Sequence, residues 1–407
     1  MNTPTSAVTR PGWILPAIVF SQFAGTSLWF AGNAVLSELQ RDWQLPEDAL
    51  GYVTSAVQFG FISGTLVFAF LAIADRYSPR IVFLACALLG GASSLATFLV
   101  APHFTGLLLV RFLCGFFLAG IYPVGMKIAA GWYREGLGSA IGFLVGALVL
   151  GTAFPHLLKG SGQGLSWQAV TLGVSATAIV GGLVMLWLVP DGPHLTRRRA
   201  AFDPQALALV FRSRAFRASA FGYFGHMWEL YAFWAYVPLA LAAHAKLAAV
   251  GTLNVPFWSF CIIGAGFAGC TAGGIISLKT GSARVAFAQL SASGLCCLLS
   301  PLFYHAPTPL YLAFLVVWGI VVVGDSPQFS ALNAQNAPPS LVGSALTIAN
   351  SIGFAISIVS IQLLSVLTAV LPTDWLFVPL ALGPIFGLAA LRPLVLPRLR
   401  TVDEITR

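Results

Sequence analysis

The stretch GHMWELYAFWAY, residues 225–236, sets an imidazole (His226) and a carboxyl (Glu229) three residues apart in otherwise apolar sequence. On a helix this spacing puts both side chains on one face. An ionisable group at mid-bilayer costs about 2.5–3.5 kcal/mol on an insertion scale, which favours a wet interior over lipid. A carboxyl placed there can load a proton from one side of a membrane and release it when another state hydrates it or brings a cation near. Glu229 is then the proton carrier and His226 sets its affinity; the competing reading is a structural pair that fixes helix packing. Asp325, in VVVGDSPQF, is a second candidate for proton coupling, with Gln328 one turn later, unless it serves to break a helix beside Pro327. Arg111 cannot usefully lose its proton, so it pairs a carboxylate, binds an anion or tunes a nearby acid.

A second set of residues has the chemistry to hold a solute. Gln22, Thr26, Trp29 and Asn33 recur at spacings of four, three and four, on one side of a helix that faces either a wet cavity or another helix. Tyr122 shares a face with Arg111. Trp228, Tyr231 and Trp234 can stack on a solute or pack between helices. Asn350 offers an amide, and His156 beside Pro155 reads as an interfacial histidine. The candidate solute contacts are therefore Gln22, Thr26, Trp29, Asn33, Tyr122, Trp228, Tyr231, Gln328 and Asn350.

The elements that position these residues must be membrane helices. Of 407 residues, 58% are hydrophobic and 8% charged, more apolar surface than one soluble core can hide. The chain divides into twelve apolar stretches of helix-spanning length, at 14–36, 49–73, 81–100, 105–128, 137–159, 167–189, 218–242, 251–277, 284–303, 309–334, 342–368 and 375–396. Barrel strands would be about half as long and alternate polar with apolar. The fold class is an all-α integral membrane protein. The net charge of +8 reflects topology rather than nucleic-acid binding. Arg and Lys crowd the N-terminus, every second loop and the C-terminus (Arg10, Arg76, Arg80, Lys127, Arg134, Arg197–Arg199, Lys279, Arg398), whereas Arg41, Lys159 and Lys246 fall on the other side. That asymmetry puts both termini and the long loop near 190–217 in the cytoplasm. The first span lacks a cleavage site and is expected to remain in the mature protein. All six cysteines lie within spans and read as packing residues.

The loop near 190–217 splits the spans six and six, and the halves resemble each other. Gly115, Gly120 and Pro123 match Gly319, Gly324 and Pro327 at an offset of 204; elsewhere the offset is 201 to 205. Such constancy indicates a duplicated six-helix unit: a first half at 1–190, a linker at 191–216 and a second half at 217–407 ending in a short cytoplasmic tail. Two such halves in the same orientation can rock about a shared midplane site.

Over nearly its whole length the chain resembles the major facilitator superfamily. The family's loop motif between spans two and three has the form G-x-x-x-D-R-x-G-R-R. Here LAIADRYSPR keeps Asp75, Arg76 and Arg80, with Leu71 and Ser78 in place of glycines; the repeat copy, GIISLKTGSA, keeps Lys279 but has Leu278 in place of the acid. The resemblance implies that spans one, four, seven and ten line the central cavity, and that Asp75, Arg76, Arg80 and Lys279 form gating loops latching one conformation through ion pairs. Arg111 with Gly115 and Gly120 matches the family's arginine motif in span four. The texture is most similar to the nitrate/nitrite and cyanate-type branches, but the arginines that nitrate porters carry in spans two and eight are absent, so nitrate is not implied.

The expectation is a proton-coupled secondary transporter working by alternating access, taking up a small polar organic solute or organic anion. Its partners are the solute, the proton and the lipid bilayer, it works as a monomer, and it sits in a bacterial cytoplasmic membrane. Efflux by proton antiport competes with uptake: Gly142, Gly146 and Gly151 are present in span five, but Pro155 is separated from them, unlike the Gly-Pro ending of drug antiporters. A non-transporting membrane sensor is the reading from another class. An enzyme, a metal site and a cofactor are not expected, because H-E-x-x-H, G-x-S-x-G, phosphate-cradling glycine loops and Cys/His ligand spacings are missing from the sequence.

Overall fold

The computed structural model describes residues 11–133, 136–162, 164–195, 206–248 and 253–395. Arg10, Arg134, Arg197–Arg199 and Arg398, with part of the expected linker and tail, lie outside the described residues. Twelve long helices follow one another: α1 (Ile14–Trp43), α2 (Ala49–Phe70), α3 (Pro79–Val100), α4 (Phe104–Trp132), α5 (Leu137–Gly160), α6 (Trp167–Leu188), α7 (Arg214–Leu247), α8 (Val255–Thr280), α9 (Ser282–Tyr304), α10 (Thr308–Asn336), α11 (Pro339–Leu367) and α12 (Thr373–Val395). Among the described residues there is no strand. Helices satisfy every backbone polar group internally, which lipid demands. Eleven of the twelve are long and apolar enough to cross a membrane; α7 falls short on composition. Its bulk is Trp, Tyr and Phe, it holds His226 and Glu229, and at 34 residues it is longer than expected.

Several spans expected to be continuous are interrupted: α3 steps at Ala96 and α8 at Ala265, and three further breaks lie in α4, α10 and α1. α4 breaks between Phe104–Leu118 and Tyr122–Trp132, and α10 between Thr308–Gly324 and Ser326–Asn336. Pro123 and Pro327 open the second pieces. Proline lacks the N–H a helix needs and its ring displaces the preceding turn, so the repeated proline breaks both helices at equivalent points. α1 breaks between Ile14–Thr26 and Ala31–Trp43. There Thr26 Oγ1 donates to Gln22 O at 2.8 Å and Ser27 Oγ to Ala24 O at 2.7 Å, competing with the backbone ladder.

The two halves pack alike. In the first, α2 lies on α4, α1 on α5 and α6, and α3 on α4 and α6; in the second, α8 lies on α10, α7 on α11 and α12, and α9 on α10 and α12. Across the seam α2 meets α11 and α5 meets α8, again an equivalent pair. The repeated glycines explain the match: a Cβ on Gly115 would strike Val57 O of α2, and one on Gly319 would strike Ile262 O of α8. Small residues of this kind let helix backbones close in where lipid offers no hydrophobic drive.

Candidate functional site

On the seam between the halves lies a small enclosed pocket with a volume of about 20 Å³, room for roughly one water. α4 and α5 line it from the first half, and α7, α10 and α11 from the second. Its polar groups come from Tyr122, Tyr223, Tyr231, Trp234, Ser326, Ser330 and Asn350. An aromatic cluster closes it toward the end bearing Glu38. Trp29 of α1 stacks on Tyr231 (ring centroids 5.7 Å, 25°) and on Phe354 of α11 (5.7 Å, 21°), while Phe30 meets Trp234 edge-on at 6.2 Å. At the same end Gln362 Nε2 of α11 donates to Ser55 Oγ of α2 at 2.8 Å, and Asn254 Nδ2 donates to Gly160 O at 2.8 Å. Toward the end bearing Asp75, a cavity of about 440 Å³ opens between α2 and α4 on one side and α11 on the other. Thr347 lines this cavity and Asn350 the pocket, one helical turn apart.

One layer behind the pocket lies a buried acid cluster inside the second half. His226, Glu229 and Asp325 are each 0% exposed. His226 Nδ1 lies 2.8 Å from Asp325 Oδ1, an ion-pair contact when the imidazole is protonated. Glu229 Oε2 accepts from Ser293 Oγ at 2.8 Å and from Cys297 Sγ at 3.5 Å, both on α9, and Ser293 Oγ in turn accepts from Trp318 Nε1 at 3.2 Å. Glu229 Oε1 and Asp325 Oδ2 accept no hydrogen bond. The expected His226–Glu229 pair is therefore corrected: three residues apart on α7, the two side chains reach different helices, α10 and α9. Asp325 occupies the break in α10, flanked by the pocket-lining Val323 and Ser326.

α7 turns about 100° per residue, which gives it three separate faces. Tyr223, Met227, Leu230, Tyr231 and Trp234 point at the pocket. His226 and Glu229 point into the second half. Trp228, expected to contact the solute, instead donates to Pro379 O at 3.3 Å and lines an outer apolar groove with Phe221, Phe224 and Phe386.

Tyr122, Tyr231 and Asn350 line the pocket as the expectation placed them, whereas Gln328 is buried off it, its place taken by Ser326 and Ser330. The polar face of α1 serves helix packing rather than the pocket. Asn33 Nδ2 donates to Thr54 Oγ1 at 2.7 Å, Trp29 Nε1 to Gln58 Oε1 at 3.1 Å, Thr26 bonds its own backbone, and Gln22 presses on Gly125 of α4. Arg111 is equally committed: its guanidinium donates to Leu28 O, at 2.9 Å, and to Trp29 O, the carbonyls freed by the break in α1. A cation at the C-terminal end of a helix segment answers the partial negative charge there. His156 is buried within the helix bundle. Sequence reasoning missed Tyr223, Ser293, Trp318, Ser326 and Ser330; the four-residue spacing of the last two was a readable sign of one shared face.

The loop residues differ from the latch expected of them. Asp75 pairs with Lys127 of α4, in its own half, and Arg80 lies 3.7 Å from Asp191 at the start of the linker. Arg76 and Lys279 are exposed. Asp75 still faces the cavity that α11 lines, so it borders the other half without an ion pair to it.

Two repeated six-helix bundles around a buried seam pocket define a membrane carrier. A family model of the Major Facilitator Superfamily matches residues 18–361, and the chain belongs to that superfamily. It is similar in fold to a solved structure described as a Major Facilitator Superfamily transporter, FucP, in the outward conformation. The TM-score is 0.66 at 13% identity, covering 93% of this chain and 97% of that one. At that identity the likeness speaks for the fold alone. No curated protein matches the chain. The protein is a multi-pass membrane protein and a secondary transporter of small molecules, not an enzyme.

Proposed function

We propose that the chain is a proton-coupled importer of a small polar organic solute or organic anion, working by alternating access as a monomer in a bacterial cytoplasmic membrane. The observation that supports coupling is the cluster of His226, Glu229 and Asp325. Three titratable groups are withdrawn from water within one half of the molecule. Their charged contact among the described residues is His226 with Asp325, and neither carboxyl has a Lys or Arg in ion-pair contact. Asp325 has one imidazole beside it and Glu229 only neutral donors, so each is a buried carboxyl without a fixed counter-charge, the kind of group that can take up and release a proton. Because Asp325 sits in the break of α10 between two pocket-lining residues, a shift of α10 that admits a solute also changes the surroundings of the proton site. The positive-inside pattern supports both termini and the Asp75 end as cytoplasmic. The cavity at that end then corresponds to an inward-facing path.

Reconstitution into liposomes tests the reading. With an inward proton gradient the wild type is expected to accumulate its solute, while Glu229→Gln and Asp325→Asn lose accumulation yet retain exchange at equal pH. Accumulation by both variants would sink the coupling centre, and accumulation driven only by a reversed gradient would establish export. A reporter fused after Arg217 is expected to be active in the cytoplasm; one inserted at 38–48 is not.

A further inference from the structure

We infer that the solute is uncharged when bound: a compact ring compound with one apolar face and a hydrogen-bonding edge. The inference rests on the seam pocket being the solute site, as proposed above. Among the residues lining that pocket there is no Asp, Glu, Lys, Arg or His. The buried charged side chains of the bundle lie off the pocket lining, each with at least one contact elsewhere. Arg111 holds the Leu28 and Trp29 carbonyls, His226 and Asp325 face each other, and Glu229 accepts from Ser293. An ion entering such a pocket gives up its water and meets no counter-charge, which is the costly way to bury charge.

What the pocket does offer is neutral polarity against flat aromatic walls. Ser326, Ser330 and the tyrosines supply hydroxyls, and Asn350 an amide. Trp234 is 0% exposed and its Nε1 donates to nothing in the protein. A buried donor without an acceptor is a standing demand for one, and a neutral oxygen on a solute meets it without adding charge. Tyr231 and Trp234 stand edge to face, ring centroids 5.3 Å apart at 77°. Rings so placed present an apolar surface to a ring of similar size. The volume of about 20 Å³ in this state requires the pocket to widen on binding. Neutral sugars and nucleosides share this chemistry.

The test is binding by the purified full-length protein in detergent at fixed pH. Each probe is compared with charged counterparts: D-glucose with glucuronate and glucosamine, and uridine with uridine 5′-monophosphate. The unfolding midpoint is expected to rise with an uncharged probe and not with its charged counterparts; whether glucose or uridine responds tells the two sources apart. Trp234→Phe, which keeps the ring and removes the donor, is expected to weaken that binding about tenfold, and Ser330→Ala serves as a second variant should Trp234→Phe fold poorly. Stabilisation by a charged probe equal to or above that of its neutral counterpart overturns the inference, as does a panel in which no uncharged probe responds. Detergent supports no proton gradient, so this result and that of the coupling experiment fail independently.

Discussion

Asp325 and Glu229 belong to one cluster but are held in different ways. Asp325 has an imidazole 2.8 Å away, and Glu229 has a serine hydroxyl and a thiol. This difference makes a measurable prediction about His226. Adding His226→Gln to Asp325→Asn is expected to cost little beyond the single change, a non-additivity of about 1–3 kcal/mol; adding it to Glu229→Gln is expected to be nearly additive. Unfolding midpoints and equal-pH exchange rates of the single and double variants give both terms. The reverse pattern would restore the pairing read from sequence. That reading took neighbours on one helix face to be partners, but side chains one turn apart on a buried helix also meet other helices, and here those neighbours won. Arg111 teaches the same lesson. Its type announced a charge needing an answer, and the answer was two carbonyls freed by a helix break that the sequence did not reveal.

At the scale of elements, breaks and close crossings do the positioning. The break in α10 puts Asp325 beside the pocket, and the break in α1 gives Arg111 its acceptors. Gly115 and Gly319 set how closely α4 approaches α2 and α10 approaches α8. A methyl at either site meets backbone, which cannot swing aside as a side chain can. Gly115→Ala and Gly319→Ala are each expected to destabilise the protein by about 1–3 kcal/mol, seen as a lowered unfolding midpoint and reduced yield. Gly343, with nothing near its missing Cβ, is the control: Gly343→Ala should leave the midpoint close to wild type. Equal loss at all three would mean that crossing distance does not govern these positions, since helix propensity by itself favours Ala over Gly.

The whole molecule is closed at one end and hollow at the other. α2 and α11 touch along their Glu38-end halves and part at their Asp75-end halves around the 440 Å³ cavity. A Cβ built on Gly51 lies 2.9 Å from Ser365 Cβ across the seam, near enough for a disulfide to form with a small adjustment. Gly51→Cys with Ser365→Cys should therefore cross-link on oxidation and hold the Glu38 end shut. The oxidised protein is expected to lose transport, keep solute binding from the Asp75 end and recover transport on reduction. Full transport while cross-linked would show that this contact does not part during the cycle.

The sequence by itself determined the class of fold. Span length, apolar composition and a constant repeat offset are local or periodic properties, and a bilayer leaves a chain of such spans few other ways to satisfy its backbone. It also flagged the residues of unusual cost, His226, Glu229, Asp325 and Arg111, because burying charge is expensive wherever it occurs. Only the tertiary structure decided what each of them meets. Partner choice depends on which helices cross, where they break and which of the three faces of α7 turns toward the seam, and none of these is carried by spacing along one chain segment. Tyr122 and Asn350 reached the pocket as expected, whereas Gln22, Trp29 and Asn33 became contacts between helices and Trp228 turned to the outer groove. A polar residue on a membrane helix needs some partner, and a neighbouring helix satisfies that need as well as a cavity does.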